Sequence, residues 1–195
     1  MEKRDTNQIE EEKKTRDEKR KYLVSEMKDW ARSIIIALIV ASLIKMFLFN
    51  TTYVLGNSMY PTLHEKDRLI ANVVGLYFKE PERGDIVLLD APDVARKKYV
   101  KRVVAVAGDL IEIIDGRVYL NKELLVEDYI MEGSYTGTYN KNSWKVKEGE
   151  VFVLGDNRED GASKDSRFFG CVSIDSIRGV TNFRFFPLSR AGKLN

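Results

Sequence analysis

The sequence predicts a mainly β domain of short, twisted strands, preceded by one N-terminal apolar helix. Three observations carry this reading: an apolar run at 34–49, a series of short β-branched and aromatic runs from residue 86 onward, and glycines that punctuate them. The helix comes first. Residues 34–49 read IIIALIVASLIKMFLF, with only Ser42 and Lys45 polar. Extending the run back to Trp30 gives 20 residues, about 30 Å as a helix and enough to cross the apolar part of a bilayer. Arg32 and Lys45 stand near its ends, where long side chains snorkel, and Trp30 and Phe49 suit interfacial positions. A buried core helix and a cleavable leader are the competing readings. The shortness of the run and Lys45 are the grounds for the first, and the long charged segment upstream weighs against the second. An uncleaved transmembrane anchor at 30–49 is therefore the favoured expectation.

The residues before it, 1–29, form a tail of mixed charge. Ten Lys/Arg and nine Asp/Glu lie between Met1 and Arg32, so this segment buries too little to order itself and is expected to be loose or marginally helical. Its basic residues favour a cytoplasmic N-terminus. Residues 50–195 would then form a domain on the far side of the membrane. Within it, Ile86–Leu89, Tyr99–Val106, Leu110–Ile114, Arg117–Leu120 and Val151–Leu154 read as strands. Asp115-Gly116 is a type I′ hairpin signal. Residues 112–147 read as a smaller hairpin and loop insertion, with 132–143 an exposed loop. No stretch after residue 50 holds helical periodicity over three turns.

Composition narrows the chemistry. The chain has 195 residues, 44% of them hydrophobic, enough for one domain with a real core. With 32 basic and 30 acidic residues the net charge is +2, which gives no bulk case for nucleic acid. A single cysteine, Cys171, and a single histidine, His64, leave no Cys/His metal site and argue against a Ser-His-Asp triad. Cys171 reads as a packed small residue and His64 as structural or exposed.

Four segments hold candidate chemistry. In Gly56-Asn57-Ser58-Met59-Tyr60-Pro61, the glycine permits unusual backbone angles and the proline fixes φ, so Ser58 can be presented on a tight turn. A plain connecting loop is the alternative. In Tyr99-Val100-Lys101-Arg102-Val103, alternation puts Lys101 on a face with Tyr99, Val103 and Ala105. There its ammonium would be poorly solvated and its pKa lowered, whereas Arg102 stays charged. The alternative is an edge strand with its charges in water. Gly155-Asp156-Asn157-Arg158 is a turn signal, and Asp165 and Arg167 can pair on one face of an extended segment within Ser163-Lys164-Asp165-Ser166-Arg167. A solvated polar loop is the alternative for both. Taken singly, none of the four settles its alternative.

Taken in order behind an apolar span, these segments resemble the type I signal peptidases, and the likeness runs from about Trp30 to Phe186. The resemblance implies a β domain outside the cell membrane on a single anchor, of the simpler Gram-positive pattern. It implies a serine endopeptidase that removes signal peptides after small residues, often Ala-x-Ala, with signal peptides of exported proteins and the lipid bilayer as partners and no cofactor or metal. It implies Ser58 as nucleophile, Lys101 as general base and Ser163 as the hydroxyl that orients the lysine, with Ser166 as its substitute. Asp165 and Arg167 would be a supporting pair. Asp156, Asn157, Arg158 and Arg102 would surround the site, and Gly56, Asn57 and Met59 would border the groove and oxyanion hole. Two departures stand out. The spacing between Gly-Asp-Asn-Arg and Ser-x-Asp-Ser-Arg is longer by two residues, through 159–162, and Gly56 stands where some members carry a serine that helps the oxyanion hole. A self-cleaving Ser/Lys protease and a non-enzymatic tethered β domain that binds exported chains are the rival functions.

Overall fold

The computed structural model describes residues 6–194; the side chains at 6–13, 43–50 and four other positions of the first helix lie outside what it describes. The chain divides into two compact units, one ending at Met46 and one beginning at Phe47. Helix α1 covers Thr6–Leu48, 43 residues. It includes residues 6–29 of the charged segment, expected to be loose or only marginally helical; residues 1–5 of that segment lie outside the described residues. That segment is rich in Glu, Lys and Arg, unbranched at Cβ and good helix formers, and Tyr22 donates to Glu26 one turn on, at 2.7 Å. Among the described residues no helix is long and apolar enough to cross a membrane. The expected span of 30–49 ends on residues whose side chains are not described.

The second unit is mainly β, with only short helical turns between its strands. Its strands are β1 (Phe49–Tyr53), β2 (Arg68–Asn72), β3 (Ile86–Asp90), β4 (Lys98–Ala105), β5 (Leu110–Ile114) and β6 (Arg117–Leu120). They continue with β7 (Glu123–Leu124), β8 (Ser143–Lys145), β9 (Glu150–Leu154), β10 (Val172–Ser173), β11 (Ile177–Phe186) and β12 (Gly192–Lys193). One sheet runs β1-β2-β11-β3-β4-β9-β10, with β12 also on β11, and a smaller one runs β7-β6-β5-β8. The pairings are antiparallel. The β5–β6 hairpin turns at Asp115 and Gly116 with φ of 49° and 74°, the two left-handed positions a type I′ turn needs.

Three apolar clusters fill the domain. One joins the small sheet to the large through Ile111, Val118, Trp144, Phe152 and Leu154. Another lies under β3, β4 and β9, with Val87, Leu89, Val103 and Val153. The third, Val54, Met59, Leu63, Leu69 and Ile86, anchors the segment after β1.

Strand β4 departs from simple alternation. Its burial is continuous from Lys101 to Ala105, so both faces are covered. A register shift between Val103 and Ala105 moves Ala105 into the cluster of the small sheet, while Tyr99 and Val103 stay in the other. The expectation that all three share the Lys101 face thus fails at Ala105, because an irregular ladder rotates the residues beyond it. The pairing of β4 also changes along its length. It faces β3 from Lys98 to Arg102, but β9 joins its other edge only from Arg102 onward.

Candidate active site

Ser58 sits on the turn that follows β1. Gly56 adopts φ +84°, with open space where a side chain would go. Leu63 N–H donates to the Met59 carbonyl at 2.8 Å, and Val54 and Lys66 close the loop against Asp67 and Val54. Met59 is 1% exposed. It packs into the third apolar cluster and also stands among the residues that line the groove with the half-buried Ser58.

The end of β9 clamps this turn from behind. Asn157 N–H donates to the Ser58 carbonyl and Asn157 Nδ2 to the Asn57 carbonyl, both at 3.1 Å. Gly155 is where the two backbones meet. A Cβ there would stand 2.4 Å from the Ser58 carbonyl oxygen and 2.3 Å from Ser163 Oγ, closer than any packing allows, so only glycine fits.

Lys101 comes from the middle of β4 and donates from Nζ to Ser58 Oγ at 2.7 Å. The residue is 2% exposed. Burial pulls its pKa down to about 8, against the pull of Asp165 and Asp156, which favour the charged form; Arg167 and Lys97 add to the lowering. The Tyr99 ring covers one side, its centroid 5.3 Å from Nζ. The solvent-facing edge-strand alternative therefore does not describe Lys101 or Arg102.

Around this pair stand three buried arginine–carboxylate pairs. Arg102 holds Asp156 with two bonds, 2.9 and 2.8 Å, gives a third to the Gly84 carbonyl at 2.9 Å, and lies 4.0 Å over the Tyr129 ring. Thr62 also donates to Asp156, at 2.5 Å. Arg158 grips Glu127 and reaches Thr136 and the Gly155 carbonyl. Arg167 holds Asp165 with two bonds of 2.8 Å, and Asp165 accepts from Gly155 N–H at 3.1 Å. Burial alone would raise the Asp165 pKa, but Arg167 and the Gly155 N–H outweigh it and the carboxyl is held below its ordinary value. Asp165 also caps the short helix α2 (Ser166–Phe169), so the Asp165–Arg167 pair is made by a helix cap and its first turn, not by the extended segment expected.

Ser163 is placed beside the site but not as expected. Its hydroxyl is buried and has no hydrogen-bond partner, although it lies near enough to Asp165 to help keep that carboxyl ionised. The bond expected from it to Lys101 is not made, because Oγ sits over Gly155. Ser166 is committed elsewhere, accepting from Val153 N–H at 2.9 Å. The two additional residues of the 159–162 segment are taken up in an exposed turn closed by Ala162 N–H on the Glu159 carbonyl, at 3.1 Å. The insertion at 112–147 is not all surface: Thr136 is buried, and the Gly137 carbonyl accepts from Arg167. Sequence reasoning missed Glu127, Thr62, Tyr129 and Thr136. Buried arginines at 102 and 158 need partners, but nothing local in the sequence says which. Among the described residues, no cluster of His, Cys, Asp and Glu could hold a metal ion.

The comparisons with known proteins agree with one another. The family model "Signal peptidase, peptidase S26" matches residues 27–186. Signal peptidase I T of Bacillus subtilis is 37% identical over 190 residues, 92% of this chain and 96% of its own. Signal peptidase IB of Staphylococcus aureus is 35% identical over 84% of this chain and 92% of its own. A solved signal peptidase I from Enterococcus faecalis is 33% identical, covering 52% of this chain and 97% of its own, with a TM-score of 0.44.

Proposed function

Because the chain belongs to the type I signal peptidases, serine endopeptidases that remove signal peptides from exported proteins, we propose that Ser58 is its nucleophile and Lys101 its general base. The observation that carries this is the 2.7 Å contact between Lys101 Nζ and Ser58 Oγ, made by an amine whose pKa is brought down to about 8. At pH 7.5 such an amine is neutral in roughly a quarter of molecules, against about 0.1% for an ordinary lysine. The neutral amine takes the Ser58 proton as Oγ attacks the scissile carbonyl, and the resulting ammonium gives it to the leaving amine. Water then attacks the acyl-enzyme, with Lys101 again accepting the proton. Backbone N–H groups at the Ser58 turn supply the oxyanion donors, a contribution of about 3–4 kcal/mol for one donor in a well-studied case.

Lys98–Lys101 offers an unpaired strand edge beside Ser58, and an extended substrate adds there, alternate side chains entering the groove. The favoured sites carry small residues just before the cut. Arg102 with Asp156 ties the turn after β9 to β4, Asp165, held by Arg167, fixes the Gly155 N–H, and Arg158 with Glu127 ties the same turn to the 127–136 segment. The helix unit supports the remaining part of the reading. Ile34, Ile35, Ile36, Leu38, Ile39 and Val40 are all about half exposed on α1, an apolar surface that a lipid bilayer would cover. The run at 34–49 then serves as a single-pass anchor, with the N-terminus cytoplasmic and the catalytic domain on the outer face.

The test is cleavage of a peptide with alanine at the first and third positions before the cut. Ser58→Ala, Lys101→Ala and Lys101→Arg should each abolish it in folded protein, the last because charge is kept and basicity is not. Cleavage retained by either lysine variant defeats the dyad.

A further inference from the structure

The groove beside Ser58 and Lys101 carries more charge than the reaction uses. It runs between the 52–59 segment and the first half of β4, with Leu88 and Val100 among its apolar lining. Its charged lining beyond Lys101 has one sign: Arg96, Lys97, Lys98 and Lys164, with no Asp or Glu. Nearby acids answer part of this. Asp93 takes Lys164 at 3.2 Å, and Asp90 faces Lys98 across the ladder but is already paired with Arg178. Arg96 and Lys97 are exposed, and Lys97 rests 5.3 Å over the Tyr99 ring. Consecutive cations at 96–98 repel one another, an arrangement that an anion entering the groove relieves.

The spacing says where such an anion would lie. A strand advances about 3.3 Å per residue, so Lys98, the first residue of β4, stands about 10 Å along it from Lys101, and Lys97 Nζ and Lys101 Nζ each lie 5.3 Å from the centre of the same Tyr99 ring. Lys97 therefore reaches an extended peptide about three residues from the scissile bond, and Arg96, on the turn before β4, a little beyond it. We propose that Arg96 and Lys97 are specificity residues that receive an Asp or Glu side chain of the substrate, three to five residues from the cut, on the side that runs along β4. This rests on the dyad reading above. The selection is electrostatic and acts on the peptide, so it is weakened by salt.

The experiment uses the full chain in neutral detergent and quenched peptides with alanine at the first and third positions before the cut. Glu and Gln are compared at each position three to five residues to either side. Wild-type protein should favour Glu over Gln about five-fold in kcat/KM at one or more of these positions, less at high salt. The ratio should fall to about one in Arg96→Gln/Lys97→Gln, and Arg96→Glu/Lys97→Glu should favour a lysine-bearing peptide instead. A ratio is the right readout because any change that Lys97 makes to Lys101 affects both peptides alike. Cleavage with no Glu preference overturns the inference and leaves the dyad standing, and failure to cleave any peptide overturns both. A preference that survives in Arg96→Gln/Lys97→Gln also overturns the inference. So does a variant that loses binding to phosphatidylglycerol vesicles while its peptide ratio is unchanged, since the cations would then serve lipid.

Discussion

Replacing Lys101 by methionine keeps most of the side-chain volume and removes the amine, so it isolates what burying that amine costs. In the folded protein the Lys101 pKa is about 8, against an ordinary 10.5. Between those values the unfolded chain still holds the proton and the folded chain has released it, so stability rises with pH across that window. Below pH 8 both states are protonated and the fold carries the whole penalty. A gap from 10.5 to about 8, at about 1.4 kcal/mol per pH unit, amounts to about 3 kcal/mol. Lys101→Met should therefore be more stable than wild type by up to about 3 kcal/mol at pH 7, with the advantage shrinking toward zero by pH 10.5. Urea unfolding of the full chain in detergent measures this, followed by fluorescence of Trp144, which is buried in the core. Other groups titrating in this range do so in both proteins and cancel. Equal stability at pH 7, or an advantage that does not change with pH, would refute the claim that burial lowers this amine's pKa.

Other perturbations probe the rest of the site. For wild-type protein, kcat/KM should rise with pH through a single ionisation near 8, as Lys101 loses its proton, and a profile flat from pH 6.5 to 9 would contradict the assignment of the base. Gly155→Ala must push the Ser58 carbonyl away from a Cβ at 2.4 Å; a shift of about 1 Å at the nucleophile is expected to lower kcat about 100-fold or more, read by single-turnover cleavage with circular dichroism as the check on folding. Asp156→Asn leaves Arg102 buried with a neutral partner and should cost about 3–5 kcal/mol in urea unfolding; a cost below about 1 kcal/mol would mean that the pair is not structural.

The parts legible in the sequence were those carried by local chemistry. Five expected strands correspond to β3, β4, β5, β6 and β9 within a residue or two, and the Asp115-Gly116 turn needs only its two residues to be read. Ser58 and Lys101 were singled out by a turn and by an apolar strand, but their meeting depends on a contact 43 positions apart in the chain, which no local pattern encodes. Tertiary partners were the least visible. Arg158 finds Glu127 across 31 positions, and Arg102 finds Asp156 across 54. β1, β2 and the long β11 are not legible as strands in the sequence. Phe49–Tyr53 includes two threonines and an asparagine, and β11 carries a glycine, an asparagine and two arginines, with register breaks in its pairing. Such composition reads as a loop until neighbouring strands supply its hydrogen bonds.

The two-part edge of β4 has a consequence for where a polypeptide is severed. A chain that zips onto the free half can continue only until it reaches Arg102, where β9 already occupies the adjoining lane. It must peel off there, one residue beyond Lys101, whatever its side chains are. If the substrate adds to β4 as proposed, the cut is gauged by a backbone end-stop as well as by pocket size, much as a fence on a saw table sets length without regard to the grain.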